Sequence, residues 1–463
     1  MFSHLLLQPE SKILEFKRDI SSLEPILKTI VAFANTAGGT LIIGRGAEGT
    51  LLGVKDIFRV EEAIANSIAD SIRPALLPEI EIATVDDRDF LVIKVSYWKG
   101  PFYLKKAGIP NGVYIRLGST SRPAGPEILA ELQRSVLTLS YDQQGIPDLS
   151  IDALDLSSAS RFFCAVGKES SEEKLRSLGV LSGSAHGLVP SIGGLILFGL
   201  QEKRKQYVPD AEVRCARFIG ETKAYILDQL DIAGTILDAV DEVPKFIARN
   251  TRLAAAFGAM QRKDVPEYPL VAVREGLINA LAHADYSLHG SHIQIAIFSN
   301  RLEIQNPGMF PFGFIFEDLK AGVSRIRNRV IAQVFHALQL IEKWGSGYKR
   351  ILDACKEGGY PEPKWEELGT SIRVTFYPHP LTVIPEEKSP FVVHDAPLPL
   401  REEAILQLFQ GNRPLPFREI HQKLKPPISE RMLRYELVSL RNKGLLSSSG
   451  QGRAIVWFKT SNP

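Results

Sequence analysis

The sequence has few cysteines and no long apolar run, and each absence excludes whole classes of protein. The 3 cysteines, Cys164, Cys215 and Cys355, are widely separated and form no Cys-x-x-Cys pair. We therefore expect neither a disulfide framework nor a thiolate zinc site, and interpret all three as buried apolar side chains in a reducing compartment. No segment approaches the roughly 20 apolar residues of a membrane-spanning helix, and the opening MFSHLLLQPESK predicts no signal peptide. These absences predict a cytoplasmic protein with no membrane partner.

An excess of charge of one sign is also missing from the chain as a whole. There are 55 Lys and Arg against 53 Asp and Glu, a net charge of +2, which excludes a uniformly basic protein of the histone kind. No Gly-x-x-x-x-Gly-Lys-Ser/Thr sequence occurs, so a P-loop motor is excluded. The charged fraction of 23% and the hydrophobic fraction of 44% are those of a globular protein, and 463 residues predict roughly three domains.

The hydrophobic pattern predicts an α/β (α+β) multidomain chain of three units. The first spans residues 1–138, the second 150–380 with a core at 268–377, and the third 398–463, after a linker with several prolines at 378–399. In the first unit the pattern predicts strands at 14–17, 40–44, 79–84, 90–95 and 112–117 and helices at 26–35 and 126–137. In the second it predicts buried strands at 193–199 and 213–219, then the order helix, strand, strand, helix-rich segment, strand.

Glu10, Glu15 and Lys17 form the first candidate site. On a strand, residues 15 and 17 share one face. Carboxylates that hold a divalent ion, beside a lysine that stabilises developing charge, are what metal-assisted phosphodiester cleavage uses. A solvated strand face with an incidental ion pair explains the same spacing, so these residues alone leave both interpretations open.

Three separated blocks in the first unit resemble the Schlafen-type, AlbA-like nucleic-acid-binding domain: ESKILEFKRD, VAFANTAGGTLIIG and YIRLGSTSRPA. The resemblance covers nearly all of residues 10–138 and implies an α/β domain that contacts nucleic-acid backbone. The family's marked positions are here Asn35, Gly38, Gly39, Arg116 and Ser119. Arg116, Ser119 and Arg122 also suit phosphate contacts near a glycine-containing turn.

Some Schlafen-like proteins cleave RNA with three acidic residues, and this chain matches that set in part. Glu10 and Glu15 match the first two by spacing, as metal ligands. The third position falls at Gly46 or Ala47, with Glu48 displaced. This departure favours binding without cleavage. A metal-dependent nuclease acting on RNA or DNA, with a role in defence, is the alternative.

Glu275, Asn279 and His283 recur every four residues and therefore share one face of a predicted helix. A polar stripe on an otherwise apolar helix indicates either a ligand-facing groove or a solvent-facing side. The stretch resembles the N-box helix of GHKL-type ATPases. That resemblance implies that Asn279 coordinates a Mg²⁺ bridging nucleotide phosphates, and that Glu275 orients the attacking water as the base of a weak ATPase.

Further blocks follow this helix in the same family order. Asn306-Pro307-Gly308 ends a strand, residues 324–328 precede a helix, and Gly345-Ser346-Gly347 stands where a lid motif is expected. Glycines there let backbone amides approach phosphates closely. The resemblance is closest to the divergent GHKL-like α/β sandwich labelled "helicase C-terminal-like". It implies ATP and Mg²⁺ as cofactors, with nucleotide contacts at Asn279, His283, Asn306, Gly308, Gly345 and Gly347.

One departure from the family pattern leaves alternatives open for this second unit. Asn306 occupies the position where typical GHKL ATPases have an aspartate that reads the adenine amino group. An asparagine also accepts a hydrogen bond. A degenerate scaffold that binds no nucleotide is the other interpretation.

The last unit resembles a winged helix-turn-helix, with three helices followed by two short strands. Arg431, Arg434 and Arg441 lie on the helix that corresponds to the recognition helix, and Arg453 lies in the wing. From residue 411 onward there are ten Lys and Arg against three Glu and no Asp. Such a local excess is typical of phosphate contact. A protein-interaction or dimer module is the alternative.

Together these patterns predict a DNA-binding transcriptional regulator, with RNA as a further partner to test. Its GHKL-like domain would bind ATP and Mg²⁺ and control the conformation or assembly of a homo-oligomer. The near-neutral net charge conceals a basic C-terminal end, and DNA is expected there.

Overall fold

The computed structural model divides the chain into two compact units, residues 1–383 and 384–463. Helices and strands are mixed in the chain, as the sequence predicted. No helix of the described part is long and apolar enough to cross a membrane. The structure describes residues 2–46, 49–185, 187–257, 262–341, 347–383, 400–409, 413–424, 430–442, 445–449 and 455–460.

The N-terminal part of the first unit is built on a four-stranded sheet of order β1-β2-β5-β4, in which β1 and β2 are parallel and the other pairs antiparallel. Helix α2 buries Ile26, Ile30 and Phe33 against the sheet residues Leu41 and Ile93, because its apolar residues recur at helical spacing. The elements are α1 (Phe2–Leu6), β1 (Leu14–Lys17), α2 (Leu23–Thr36), β2 (Gly39–Ile43), α3 (Ile57–Ser71), β3 (Ile72–Arg73), β4 (Glu79–Val85), β5 (Arg88–Val95), β6 (Tyr103–Leu104), β7 (Tyr114–Leu117), β8 (Thr120–Pro123) and α4 (Pro126–Val136).

The rest of the first unit surrounds a six-stranded sheet of order β12-β11-β15-β16-β18-β17. Strand β11 pairs parallel with β15, and the other neighbours are antiparallel. The elements are α5 (Leu156–Ala165), α6 (Glu172–Ser177), β9 (Leu181–Ser184), β10 (Gly187–Pro190), α7 (Ile192–Phe198), α8 (Gln201–Tyr207), β11 (Val213–Phe218), β12 (Ile226–Ile232), α9 (Ile236–Asn250), β13 (Leu253–Phe257), β14 (Arg262–Pro266), α10 (Leu270–His283), β15 (Ile293–Ile297), β16 (Leu302–Pro307), α11 (Phe316–Lys320), α12 (Arg329–Ala337), α13 (Gly347–Gly358), β17 (Lys364–Leu368) and β18 (Ser371–Phe376).

One hydrophobic core joins the segment before residue 268 to the sheet after it. Buried residues of a single cluster run from Ile146 to Phe376 and include Phe198 and Phe246. Strands β11 and β12, which precede the predicted core at 268–377, complete the edge of the same sheet. The segment 150–267 is therefore an integral part of this fold and not a separate spacer.

The predicted strand at 193–199 is wrong, because these residues form helix α7. Ser191 caps the helix by accepting a hydrogen bond from the Gly194 amide at 2.9 Å. All residues from Gly193 to Phe198 are buried. A short segment buried on every side has no polar alternation, so its pattern does not distinguish helix from strand.

The prediction for the cysteines holds for two of the three. Cys215 and Cys355 are buried, and burial raises the pKa of the Cys215 thiol to about 12. Cys164 is exposed near the end of α5, so its interpretation as a buried side chain is wrong.

The two parts of the first unit share a small core of their own. Met309 and Phe312, which follow β16, are buried in one cluster with Val113, Ile115 and Leu132 of the N-terminal part. We call residues 309–314 the coupling segment. In this segment the Gly313 amide donates to the Thr36 carbonyl at 2.5 Å.

Charged side chains add two further joints between these parts. Lys12 donates to both carboxylate oxygens of Glu367, at 2.8 and 2.9 Å. Arg327 lies 3.3 Å from Glu131 on α4 and 3.5 Å from Asp285. Burial raises the pKa of the Glu131 carboxyl, an effect that Arg327 opposes and Asp285 reinforces.

In the part of residues 384–463 that the structure describes, three helices accompany a three-stranded sheet of order β19-β21-β20. Its core contains Ile405, Leu433, Leu437 and Trp457. The helices and the last two strands follow the predicted order, and β19 was not predicted. The elements are α14 (Leu400–Gln407), β19 (Leu415–Pro416), α15 (Phe417–Lys423), α16 (Glu430–Asn442), β20 (Leu446–Ser449) and β21 (Val456–Lys459).

Candidate nucleotide site and nucleic-acid surfaces

The polar stripe of α10 faces two adjoining cavities rather than open solvent. Asn279 and His283 line both cavities, and Glu275 lines the larger one. The opposite side of the helix packs on the sheet, where a Cβ on Gly276 would lie 3.1 Å from the Phe376 ring. The missing side chain at 276 lets the helix approach the sheet closely. Of the two interpretations of the stripe, the geometry supports the ligand-facing one.

The smaller cavity, which we call the apolar slot, has a volume of about 150 Å³. Trp365 and Tyr348 contact each other in its wall, with ring centroids 4.7 Å apart. Asn306 is nearly buried in the lining, and its amide nitrogen donates to the Pro307 carbonyl at 3.1 Å. Aromatic side chains together with a few polar groups, among them Asn306, suit a planar heterocycle.

The larger cavity, which we call the basic cleft, has a volume of about 920 Å³. Glu275 is the only carboxylate in its described lining. Such an excess of positive charge in a concave surface attracts anions. The cationic lining residues are Lys168, Lys174, Arg325, Arg329 and Arg350.

Gly347 lies where the apolar slot and the basic cleft meet. A Cβ at this position would lie 2.5 Å from Glu275 Oε1 and 3.0 Å from Asn279 Nδ2. The glycine therefore keeps open the space in front of Glu275 and Asn279, the two side chains predicted to act at the bound nucleotide. Gly345, the other predicted glycine of this motif, lies outside the described residues.

His283 is neutral at physiological pH. Burial and the nearby Arg327 guanidinium lower its pKa to about 4. A neutral imidazole adds no charge to the cavities and can accept as well as donate a hydrogen bond. Glu275 is paired, since its Oε2 accepts from Arg350 Nη1 at 3.2 Å.

Gly308 does not offer its amide to a phosphate, so that part of the prediction is wrong. Its N–H donates to the Thr370 carbonyl at 2.7 Å. Its φ of 103° is in the left-handed region, and a Cβ there would collide with the Arg327 guanidinium. The glycine is required for this close approach and lines neither the slot nor the cleft.

Arg116 was predicted to contact phosphate, but its side chain is completely buried. Its Nη1 donates to Glu15 at 2.6 Å and to Ser121 at 3.2 Å, and its Nη2 donates to the Ser11 carbonyl at 2.7 Å. The guanidinium carbon lies 5.0 Å from the centre of the Phe33 ring. A guanidinium enclosed in this way fixes β7 to β1 and cannot reach a nucleic acid.

Asn35 is likewise structural and not a nucleic-acid contact. It is fully buried, and its amide nitrogen donates to the carbonyls of Phe102 and Tyr114, both at 2.9 Å. Its Oδ1 accepts from the Phe102 amide at 2.8 Å. All of these bonds bind the chain after β5 to helix α2.

The predicted nuclease residues do not form a metal centre. Glu15 is nearly buried and is bonded by both Lys17 and Arg116, while Glu10 accepts from the Phe16 amide at 3.1 Å. Within the described ranges, no group of three or more His, Cys, Asp and Glu side chains could hold a metal ion. Glu48 lies outside those ranges. With the Glu15 carboxylate already neutralised, the arrangement disfavours metal-dependent cleavage.

Other predicted nucleic-acid contacts remain open to solvent. Ser119 lies in the turn between β7 and β8, and Arg122 lies on β8, both exposed. In the C-terminal unit, residues 384–463, Arg434 and Arg441 are exposed on α16. Arg434 pairs with Glu430 at 3.1 Å, and Arg441 lies 3.5 Å from the Ser448 hydroxyl. The Arg431 side chain and Arg453 lie outside the described parts.

Several residues of the cavities escaped the sequence reasoning. Arg329 and Tyr348 adjoin predicted motifs, and the arginines at every second position from 325 were the available signal for Arg329. Trp365 lies 18 residues after the nearest predicted motif and carried no signal. Lys168 and Lys174 carried no signal, because they belong to a segment for which no chemistry was predicted.

Comparison with known proteins confirms two of the three predicted resemblances, those of the N-terminal part and of the predicted nucleotide domain. Residues 10–125 match the family model described as "Schlafen, AlbA_2". Residues 290–376 match the one described as "Putative ATP-dependent DNA helicase recG C-terminal". These matches support nucleic-acid binding for the chain and, more weakly, nucleotide binding.

Two solved structures are similar to the chain. The DIP2311 protein from Corynebacterium diphtheriae is 21% identical over 97% of this chain and 92% of that chain, with a TM-score of 0.44. The N-terminal domain of a RecG-related helicase-type protein from Nitrosomonas europaea is 28% identical over 27% of this chain and 90% of that chain, with a TM-score of 0.22. No curated protein matches the chain.

Proposed function

We propose that this chain is a cytoplasmic DNA-binding regulator of transcription whose second domain binds ATP with Mg²⁺. The single observation that carries the proposal is the junction at Asn279, where a slot with aromatic walls opens into a cleft with a cationic lining. A nucleoside triphosphate has these two halves, a flat base and a polyanion, in the same order. No step of hydrolysis is required for this role.

The residues at the junction fit the cofactors. Mg²⁺ binds few protein oxygens and completes its shell with phosphates and water, so one amide oxygen from Asn279 suffices. Gly347 leaves room beside that amide. Asn306, in the lining of the apolar slot, has amide atoms that can bond the edge of a purine.

The coupling segment provides a physical connection between the nucleotide site and the nucleic-acid surface. Met309 and Phe310 line the apolar slot. Met309 also belongs to the small core that lies beneath the β7–β8 hairpin, which carries Ser119 and Arg122. A nucleotide that repositions this segment would shift the hairpin, and this is how we propose that ATP controls conformation or assembly of a homo-oligomer.

Asn279→Ala tests the nucleotide claim. The affinity for MgATP, measured by calorimetry on the full chain, is expected to fall about 10- to 100-fold, because the Mg²⁺ that bridges the phosphates loses its amide ligand. Asn111→Ala, at an exposed loop position, serves as the matched control and is expected to bind as the unsubstituted chain does. Equal affinities in the two variants, or no binding by the unsubstituted chain, would support the degenerate scaffold instead.

The regulatory claim has its own measurement. Binding of a fluorescent duplex DNA, followed by anisotropy at fixed salt, should change by about fivefold or more when MgATP is added. Asn279→Ala should abolish the nucleotide effect and leave the DNA affinity without nucleotide unchanged. A DNA affinity that ignores MgATP in the unsubstituted chain would refute the control of one site by the other.

A further inference from the structure

One wall of the basic cleft comes from the segment before the predicted nucleotide domain. Helix α6 and the loop before it contribute Lys174 and Lys168, and α12 contributes Arg329. This segment carries a match to neither family model, which cover residues 10–125 and 290–376. Its two lysines nevertheless face the space that adjoins Asn279.

Lys168 anchors this wall and is already occupied. Its ammonium group donates to the Ala337 carbonyl at 2.6 Å, at the last residue of α12. A cation at a helix C-terminus is favourable because it bonds a carbonyl that has no partner within the helix. The contact fixes the loop before α6 at the C-terminal end of α12.

Lys174 is held on the wall with its charge uncompensated. Its backbone amide donates to the capping hydroxyl of Ser171 at 3.1 Å, and the neighbouring Leu175 is buried in the main core. The side chain is half-buried, and its ammonium group has no hydrogen-bond or ion-pair partner among the described residues. The backbone is therefore fixed while the charge is free to meet a ligand.

Arg329 on α12 likewise combines a fixed backbone with a side chain that has no side-chain partner among the described residues. Its backbone amide donates to the buried carboxylate of Asp142 at 3.1 Å, which fixes the start of the helix. Its guanidinium is exposed to the cleft and has no side-chain partner in the described part of the chain. Both cations line the same concave surface, and an excess of positive charge in such a surface attracts an anion of multiple charge.

We propose that Lys174 and Arg329 bind the terminal phosphate of the nucleotide, so that the segment before the nucleotide domain distinguishes a triphosphate from a diphosphate. This inference rests on the proposed nucleotide site. Arginine offers a planar pair of donors to phosphate oxygens, and lysine a compact point charge, so the two provide complementary contacts. Loss of the terminal phosphate then leaves the two cations without the anion that they share, while the Lys168 contact and the buried Leu175 stay in place.

Lys174→Ala and Arg329→Ala test the inference by calorimetry of the full chain with ATP, ADP and AMP, each with Mg²⁺. Each substitution is expected to lower the affinity for ATP about tenfold, to lower that for ADP less, and to leave that for AMP unchanged. Arg176→Ala is the matched control, because Arg176 is an exposed cation of the same helix that does not line the cleft. Lys174→Arg should retain most of the preference for ATP.

The ratio of ATP to ADP affinity is the decisive quantity, since it does not depend on how much of a variant is folded. An unchanged ratio in both variants, with nucleotide still bound by the unsubstituted chain, overturns this inference and leaves the proposed nucleotide site standing. A loss of duplex DNA affinity in Lys174→Ala with an unchanged ratio overturns it by assigning the cleft to nucleic acid. If the unsubstituted chain binds no nucleotide, both the site and the inference fall.

Discussion

Two polar clusters of this molecule look alike in the sequence and lie in opposite environments. The pair Glu15 and Arg116 is closed, because the guanidinium is fully buried and every described contact is with the chain itself. The stripe of Glu275, Asn279 and His283 is open, because it lines two cavities. A polar residue in a motif therefore indicates a ligand only when the fold leaves its side chain facing a cavity.

Substitutions have different consequences in the two clusters. Removing one partner of a buried ion pair leaves an uncompensated charge in a medium of low polarity, which is a loss of stability. Removing a side chain from the wall of a cavity mainly deletes a contact to whatever fills it. Substitutions can therefore separate the closed cluster from the open one without knowledge of the ligand.

The largest expected effect comes from Arg116→Ala. Because Glu15 would remain buried without its partner, the free energy of unfolding should fall by about 3–5 kcal/mol, measured by urea denaturation. Arg122→Ala, on the paired strand and exposed, should change it by no more than about 0.5 kcal/mol. The comparison between the clusters breaks if Arg116→Ala is as stable as the unsubstituted chain and loses only nucleic-acid affinity.

An intermediate effect concerns His283 and pH. Its folded pKa of about 4 lies below the ordinary value of 6.5, so the unfolded chain binds more protons between these values. The stability that the neutral side chain provides is complete above about pH 6.5 and is lost as pH falls towards 4, by up to about 3 kcal/mol. His283→Asn should flatten this part of the curve of unfolding free energy against pH, and His4→Asn, at an exposed position, should not. Equal slopes in the two variants would show that His283 titrates normally in the folded chain.

The smallest effect belongs to an ion pair of intermediate exposure. Lys12 and Glu367 join the N-terminal part to β17 and are 15% and 19% exposed. A double-mutant cycle with Lys12→Ala and Glu367→Ala should give a coupling free energy of about 1 kcal/mol or less. A value near that of the buried pair would mean that partial exposure does not weaken such a contact.

Much of the fold was predictable where a pattern is local. The strand predicted at 14–17 was confirmed without change, because alternating residues bounded by polar ones define it. The helix at 193–199 was missed because it is buried on all sides. Strand β17 was also missed. The prediction separated the N-terminal part from residues 150–380, although both belong to one compact unit.

The candidate site was likewise predictable only where its residues lie close together in the sequence. Glu275, Asn279 and His283 lie on one helix, so their shared face follows from spacing alone. Asn35 and Arg116 owe their burial to partners 67 and 101 residues away, which spacing does not reveal. Lys174 reaches the cleft because the loop before α6 is bonded to the end of α12 and Leu175 is buried in the main core, tertiary contacts that spacing in the sequence does not reveal.

The packing of Met309 and Phe312 constrains how the sequence can evolve. Both follow β16 yet complete a core with Val113, Ile115 and Leu132 of the N-terminal part. In such a close-packed cluster, a larger side chain on one side requires a smaller one on the other. Substitutions at these positions in the two parts should therefore occur together among related sequences. Recombination that exchanges one part alone should be disfavoured.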